Sequence, residues 1–264
     1  MDLNIIVGAP FWRMMSLWRQ HIVFCKLTIK NRQIETKYLW ILNYRGVDAS
    51  EVRVVVGQGK LSQEENEEMV FDIEDLKKHP RWEDYEPTFS NDLALIKIRR
   101  KGDGSGIQFS DNVGPACLPS LETEQYAGLQ CEVSGWGMVN PDTSQYTDCL
   151  RTAMVPLMDL QECQDMYKEE HRDVTNGMMC AGFSNGGTDA CSADSGGPLT
   201  CQTNGKHVLH GVVSWGIGCG KKHKPGVYTN VKEYLPWIEE TIFSFWNNLS
   251  LHILTYLLGC DFSM

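Results

Sequence analysis

The sequence has no uninterrupted apolar run of 18 residues, so no transmembrane helix is expected. It has no Cys-x-x-Cys pair and no Cys/His cluster at zinc spacing, so its cysteines do not read as metal ligands. It has no positive excess. Its 24 Lys and Arg against 34 Asp and Glu leave a net charge of −10, which disfavours nucleic acid or an anionic membrane and suits a basic polypeptide. It has no basic, apolar leader, since Met1–Gly8 (MDLNIIVG) starts acidic and the apolar stretch breaks at Pro10. That start reads as the edge of a fragment or of an incomplete gene model. No internal repeat is visible, and no cofactor or metal is implied.

What is present is ordinary globular material, 42% hydrophobic and 22% charged, in 264 residues that suffice for one or two domains. Of ten cysteines, all but Cys25 and Cys260 lie between Cys117 and Cys219, a distribution that favours disulfides in an oxidising compartment. Short β-branched or apolar runs bounded by Gly and Pro predict strands at Val52–Val56, Asp92–Ile98, Cys131–Gly137 and Gly211–Gly216. Gln63–Glu68 reads as a solvated acidic loop and Lys101–Ser105 as an exposed one. Two helices are expected. One spans Asp159–Glu170 with Asp159 as N-cap, and the other runs from Val231 to Ile242 with Pro236 in its first turn. Asn248-Leu249-Ser250 is a sequon.

Chemistry concentrates in Asp189-Ala190-Cys191-Ser192-Ala193-Asp194-Ser195-Gly196-Gly197-Pro198-Leu199. A serine hydroxyl becomes a nucleophile only with a base, an orienting group for that base, and donors aimed at the oxyanion. A glycine-flanked turn suits this, but Asp-Ser-Gly-Gly alone fits a cysteine-anchored turn without chemistry equally well.

The loop does not stand alone. Asn91-Asp92-Leu93-Ala94-Leu95-Ile96-Lys97, Ala116-Cys117-Leu118-Pro119, Val133-Ser134-Gly135-Trp136-Gly137, Met179-Cys180-Ala181-Gly182, Val213-Ser214-Trp215-Gly216 and Pro225-Gly226-Val227-Tyr228-Thr229 accompany it in order. With them the stretch from Val52 to Ile242 resembles the trypsin/chymotrypsin family of serine endopeptidases (peptidase S1). Cys117-Leu118-Pro119 and Cys219-Gly220-Lys221-Lys222 look most like the protease domains of large multidomain extracellular members.

The resemblance implies an all-β fold of two packed antiparallel six-stranded β-barrels with a short C-terminal helix, the N-terminal barrel incomplete in its match. The expected division is a poorly matching segment 1–50, a protease domain 51–242 and a hydrophobic tail 243–264. By resemblance Ser195 is the nucleophile and Asp92 the carboxylate that orients a histidine. The N–H groups of Ala193 and Ser195 form the oxyanion hole. Asp189 lies at the floor of a pocket for Arg or Lys walled by Gly216 and Gly226, although the same residue also reads as a solvated loop acid. Ser214, Trp215 and Gly216 pair with substrate backbone, and Asp194 takes a new α-ammonium on zymogen activation. Ile6-Val7-Gly8-Ala9 looks like such a terminus but lacks a preceding Lys or Arg, and reads more readily as a chance tetrapeptide. The implied disulfides are Cys131–Cys201, Cys163–Cys180 and Cys191–Cys219. Cys117 matches a cysteine that tethers an upstream chain, while Cys25, Cys149 and Cys260 have no assigned partner. Calcium is not expected, because Gln58 and Lys60 fall where ligands would stand. Implied partners are polypeptides with exposed Arg or Lys and protein protease inhibitors, in an extracellular setting.

Two departures stand against an active enzyme. No histidine lies between His21 and His79, and Trp40-Ile41-Leu42 runs directly into Asn43-Tyr44-Arg45-Gly46 where the family has its His-Cys. A skipped or misjoined exon would produce such a gap. Ala193 replaces the family's glycine before Asp194, which an exon error would not explain. The expectation is a trypsin-like endopeptidase domain that is inactive as written. The alternative is a pseudoprotease binding module that keeps the Asp189 pocket.

Overall fold

A computed structural model describes residues 52–82, 88–114, 116–140, 143, 145–203 and 205–245, together with the backbone of four strands nearer the N-terminus. Those four are β1 (Ile5–Gly8), β2 (Ile22–Val23), β3 (Lys26–Ile29) and β4 (Arg32–Gln33). The first sheet joins them to β5 (Val52–Val56), β6 (Met69–Lys78) and β7 (Ala94–Ile98), in the order β2-β1-β7-β6-β5-β3-β4. Its pairs are antiparallel except that β1 runs parallel to β7, with Ile6 opposite Leu95. Both faces of β5 are covered, with Val54 at 0% and Val55 at 5% exposure, so its apolar run has no clean alternation.

The second sheet is antiparallel and six-stranded. It contains β8 (Gln130–Gly135), β11 (Arg151–Pro156), β12 (Met178–Ala181), β13 (Pro198–Thr203), β14 (Lys206–Trp215) and β15 (Gly226–Asn230). The order is β11-β8-β13-β14-β15-β12, and a separate hairpin pairs β9 (Met138–Asn140) with β10 (Gln145–Tyr146). This arrangement of two β-domains closed by a C-terminal helix is the trypsin-like fold expected from the sequence.

Helix α1 (Leu160–Lys168) begins where Asp159 Oδ1 accepts the Glu162 N–H at 3.0 Å, satisfying one of the free donors of the first turn. A 3₁₀ turn (Val231–Tyr234) leads into α2 (Leu235–Ser244), where Pro236 sits in the first turn and forfeits no helical hydrogen bond. The two sheets meet through Leu93 just before β7 and Leu95 within it, Leu209 and Val212 of β14, and Tyr234 and Ile238 of the terminal helical segment.

Three disulfides brace the second sheet: Cys131–Cys201, Cys163–Cys180 and Cys191–Cys219, with sequence separations of 70, 17 and 28. Closing loops of these lengths stabilises the fold by about 3–4 kcal/mol each in the chain-entropy account. Cys117 is also disulfide-bonded, its partner lying outside the described residues, and Cys149 is free and exposed. Cys25 and Cys260, the His-Cys gap at 43–46, the sequon and nearly all of the tail 243–264 fall outside the described residues.

Candidate active site

Both ends of the expected nucleophile system are tied to one strand. Ser195 is buried at 7% exposure in the turn entering β13, and the next N–H, that of Gly196, donates to Val213 O at 2.9 Å. Asp92, at 6% exposure just before β7, accepts the Ser214 hydroxyl on Oδ2 at 2.7 Å. The Asp92 carbonyl accepts the Thr229 hydroxyl at 2.7 Å. Consecutive residues of β14 therefore hold the serine loop of the second domain and the carboxylate of the first.

The serine loop is over-determined. Asp194 N–H donates to Cys191 O at 3.0 Å, Gly197 N–H to Asp194 O at 2.8 Å, and Met138 N–H to Ser192 O at 2.9 Å. The Cys191–Cys219 bond ties its start to the next loop. Gly196 adopts φ +82°, which glycine takes without strain, whereas Ala193 adopts φ +72°, where a Cβ is disfavoured.

Asp194 turns inward. Its Oδ1 accepts the Gly137 N–H at 2.8 Å and its Oδ2 the Cys191 N–H at 2.9 Å. A Cβ on Gly135 would stand 2.0 Å from Oδ1, so glycine there is a condition for this orientation. Burial raises the Asp194 pKa, with the two backbone N–H groups acting against it. Ile5–Gly8, by contrast, forms the strand parallel to β7.

Asp189 accepts the Gly220 N–H on Oδ2 at 3.0 Å, and its buried Oδ1 has no hydrogen-bond partner. Burial pushes its pKa up to about 6, opposed by backbone N–H groups of Gly220, Ala190 and Gly226 and assisted by the Asp194 charge. A Cβ on Gly226 would lie 2.7 Å from Asp189 Oδ1 and 3.1 Å from the Tyr228 hydroxyl, while one on Gly216 would meet only Gly218 O at 3.7 Å. The Tyr228 hydroxyl is likewise buried without a partner. Behind this segment a cavity of about 390 Å³ runs from Asp189 past Cys191 to Asp194, bounded across by Gly135, Gly137 and Arg151. Ser195, Trp215, Gly216 and Gly226 do not line it.

Sequence reasoning missed Tyr228, although it shares a strand face with Gly226 two residues earlier and period-2 spacing would have found it. It also missed Gly135 and Gly137 as room for the Asp194 carboxylate. It missed Phe89 and Tyr167, whose rings flank Trp215 at centroid distances of 6.1 and 4.9 Å, and no local pattern announces them.

The described histidines stand elsewhere. His79 packs edge-on against Tyr234 and Trp237 at 5.3 and 4.9 Å. His210 is fully buried beside Gln125, and His171, His207 and His223 are exposed. Among the described residues no cluster of His, Cys, Asp or Glu is arranged to hold a metal ion.

Comparison with known proteins agrees with this geometry. The family model described as Trypsin matches residues 40–238. The chain is 40% identical over 194 residues to hepatocyte growth factor activator serine proteases of Canis lupus familiaris, covering 73% of this chain and 29% of that protein. It is 39% identical over 190 residues to urokinase-type plasminogen activator of Gallus gallus, covering 72% and 43%. With trypsin II-P29 of Gallus gallus it shares 36% identity over 222 residues, covering 84% and 81%. The chain thus spans less than half the length of the first two relatives and most of the third. With a family match over most of its length and the serine loop, disulfides and two β-domains described above, the chain belongs to the trypsin family of serine proteases.

Proposed function

We propose that this chain is a trypsin-like protease domain that recognises Arg or Lys side chains in polypeptides but, as written, does not turn them over. The observation that carries the reading is the floor of the pocket. An ionisable carboxylate with a buried, unpartnered oxygen, faced by glycine and a tyrosine hydroxyl, is poorly solvated alone and well matched to an incoming guanidinium or ammonium. By resemblance Gly216 and Gly226 wall the slot, and Ser214–Gly216 offers backbone for strand addition.

In the catalytic version of this site Ser195 attacks the scissile carbonyl and an acyl-enzyme forms on its Oγ. Ala193 and Ser195 N–H groups receive the oxyanion, and Asp92 stabilises a protonated histidine. On this reading Asp92 and Ser195 supply two parts of the triad, but the sequence has no histidine at the family position. Removing that base costs about 10⁶ in turnover, roughly 8 kcal/mol of transition-state stabilisation. A side chain at Ala193, held at φ +72°, weakens the oxyanion hole as well.

Asp194, buried and held by backbone, remains the natural partner of an α-ammonium and the site of zymogen control. The disulfides favour secretion, as do names such as coagulation factor XII and urokinase-type plasminogen activator among the relatives. A tether through Cys117 to an upstream chain would require exchange of the disulfide that this sulfur already makes.

The test uses the purified chain. Saturable benzamidine binding is expected, together with hydrolysis of an arginyl amide no faster than in buffer. Absence of saturable binding overturns the pocket, and appreciable hydrolysis overturns the inactivity. Sequencing the transcript across Leu42–Asn43 separates a true pseudoprotease from a misjoined message.

A further inference from the structure

Behind the serine loop the Asp194 carboxylate stands in space that a neighbouring side chain would otherwise fill. A Cβ on Gly135 would overlap its Oδ1, and one on Gly137 would lie 2.6 Å from its Cγ. Arg151 of β11 is the residue directly opposite Gly135 in the ladder with β8. Residues opposed in an antiparallel pair project to the same face of the sheet, with Cβ atoms about 5 Å apart. Arg151 therefore leaves the sheet on the Asp194 side, within a span that an arginine side chain covers.

The two residues also border one cavity of about 390 Å³, and among the described residues that line it Arg151 is the sole cation. The Arg151 side chain is exposed, and no described carboxylate pairs with it. Asp194 has acceptor capacity left. A carboxylate offers about four lone-pair sites, whereas Asp194 receives one N–H on each oxygen, from Gly137 and from Cys191. A guanidinium adds paired donors and a full charge that backbone amides do not supply. The other acid on the cavity, Asp189, is engaged on Oδ2 by the Gly220 N–H and has its free Oδ1 against Gly226.

The position of Asp194 gives such a pair consequences. Its N–H donates to Cys191 O and its carbonyl accepts the Gly197 N–H, so it anchors the turn that carries Ala193 and Ser195. Cys191 is bonded to Cys219, next to the Gly220 that binds Asp189.

We propose that Arg151 turns into the cavity and pairs with Asp194, holding the serine loop and the Asp189 pocket in order without a newly cut α-ammonium. This rests on the function proposed above, in which Asp194 is the control point and Asp189 the ligand's counter-charge. Arg151 is a positioning residue, acting on the pocket through Asp194.

The test titrates p-aminobenzamidine into the intact chain and its variants, each checked for folding by near-ultraviolet circular dichroism. Arg151→Gln should weaken binding about tenfold at low salt, and Arg151→Lys should recover most of that loss. In an Asp194→Asn background Arg151→Gln should change nothing further, because the charge it acts on is gone. Unchanged affinity in Arg151→Gln, or the same loss in the Asp194→Asn background, overturns the proposal. Tighter binding in Arg151→Gln also overturns it, since Arg151 would then be competing for Asp189. If Asp194→Asn does not fold, failure of Arg151→Lys to restore affinity overturns it instead. If the wild-type chain does not bind p-aminobenzamidine, the pocket reading fails. The pair is then judged by the same substitutions in urea unfolding, where strictly additive effects overturn it.

Discussion

Replacing Asp189 with asparagine should make the protein more stable while depriving it of its ligand. Burial holds this carboxyl at a pKa of about 6 against an ordinary 3.8, because Oδ1 is buried without a hydrogen-bond partner and the backbone N–H groups of Gly220, Ala190 and Gly226 offset the desolvation only in part. Between pH 3.8 and 6 the folded chain binds more protons at this site than the unfolded chain does. Stability therefore falls as pH rises through that window, and above it a constant deficit of about 3 kcal/mol remains. Asp189→Asn keeps the shape and an acceptor for Gly220 without the charge. Urea unfolding should show the variant matching the wild type below pH 4 and exceeding it by up to about 3 kcal/mol at pH 7.5, or about 6–12 °C in Tm. Benzamidine should lose at least about 30-fold in affinity in the same variant, because a buried cation would meet no counter-charge. In the wild type the affinity should itself weaken on acidification, by about 11-fold from pH 8 to pH 5, as the carboxyl takes up its proton. Equal or lower stability of the variant at pH 7.5, or a benzamidine affinity flat from pH 8 to pH 5, would refute the reasoning.

Two further outcomes are expected. Ala193→Gly relieves the φ of +72° and should stabilise the fold by about 1 kcal/mol in denaturant melts, while arginyl-amide hydrolysis stays at background because the base is still missing. A destabilised variant would show that the Ala193 methyl packs favourably enough to outweigh its strain. His210 is fully buried and held at a pKa of about 4 by burial first and the Lys232 charge second. Its folded pKa lies below the ordinary 6.5, so the unfolded chain takes up the proton first and stability should drop by about 3 kcal/mol from pH 6.5 to 4. His210→Gln should flatten that part of the pH profile, and an unchanged slope would assign it to other groups.

The serine loop, the Asp92 strand and both helix starts were legible because each is a local pattern, whereas the three cysteine pairings came from the family resemblance and not from spacing. Asp159 caps its own helix three residues on, Pro236 fits only a first turn, and the Asp189–Leu199 run is read whole from adjacent letters. The strand pattern around Val52 and Ile98 likewise required only side-chain type and spacing. Tyr228 was less accessible, since its importance depends on which atoms it faces and not on its neighbours in sequence.

What only the tertiary structure decided is how distant segments meet. That Ser195 and Asp92 hang from consecutive residues of β14, that Asp189 keeps one oxygen unpaired, and that Arg172 stacks on Phe89 are results of packing between segments that are not neighbours in sequence, Asp92 and Ser214 being 122 residues apart. Ile5–Gly8 makes the same point in reverse, a short apolar string that resembles an activation terminus but is placed by hydrogen-bond pairing beside β7. The sequence by itself determined the family and the absence of a histidine at the family position. Local chemistry is written in neighbouring residues, whereas burial, orphaned oxygens and shared rims arise only when remote strands are brought within a few ångströms.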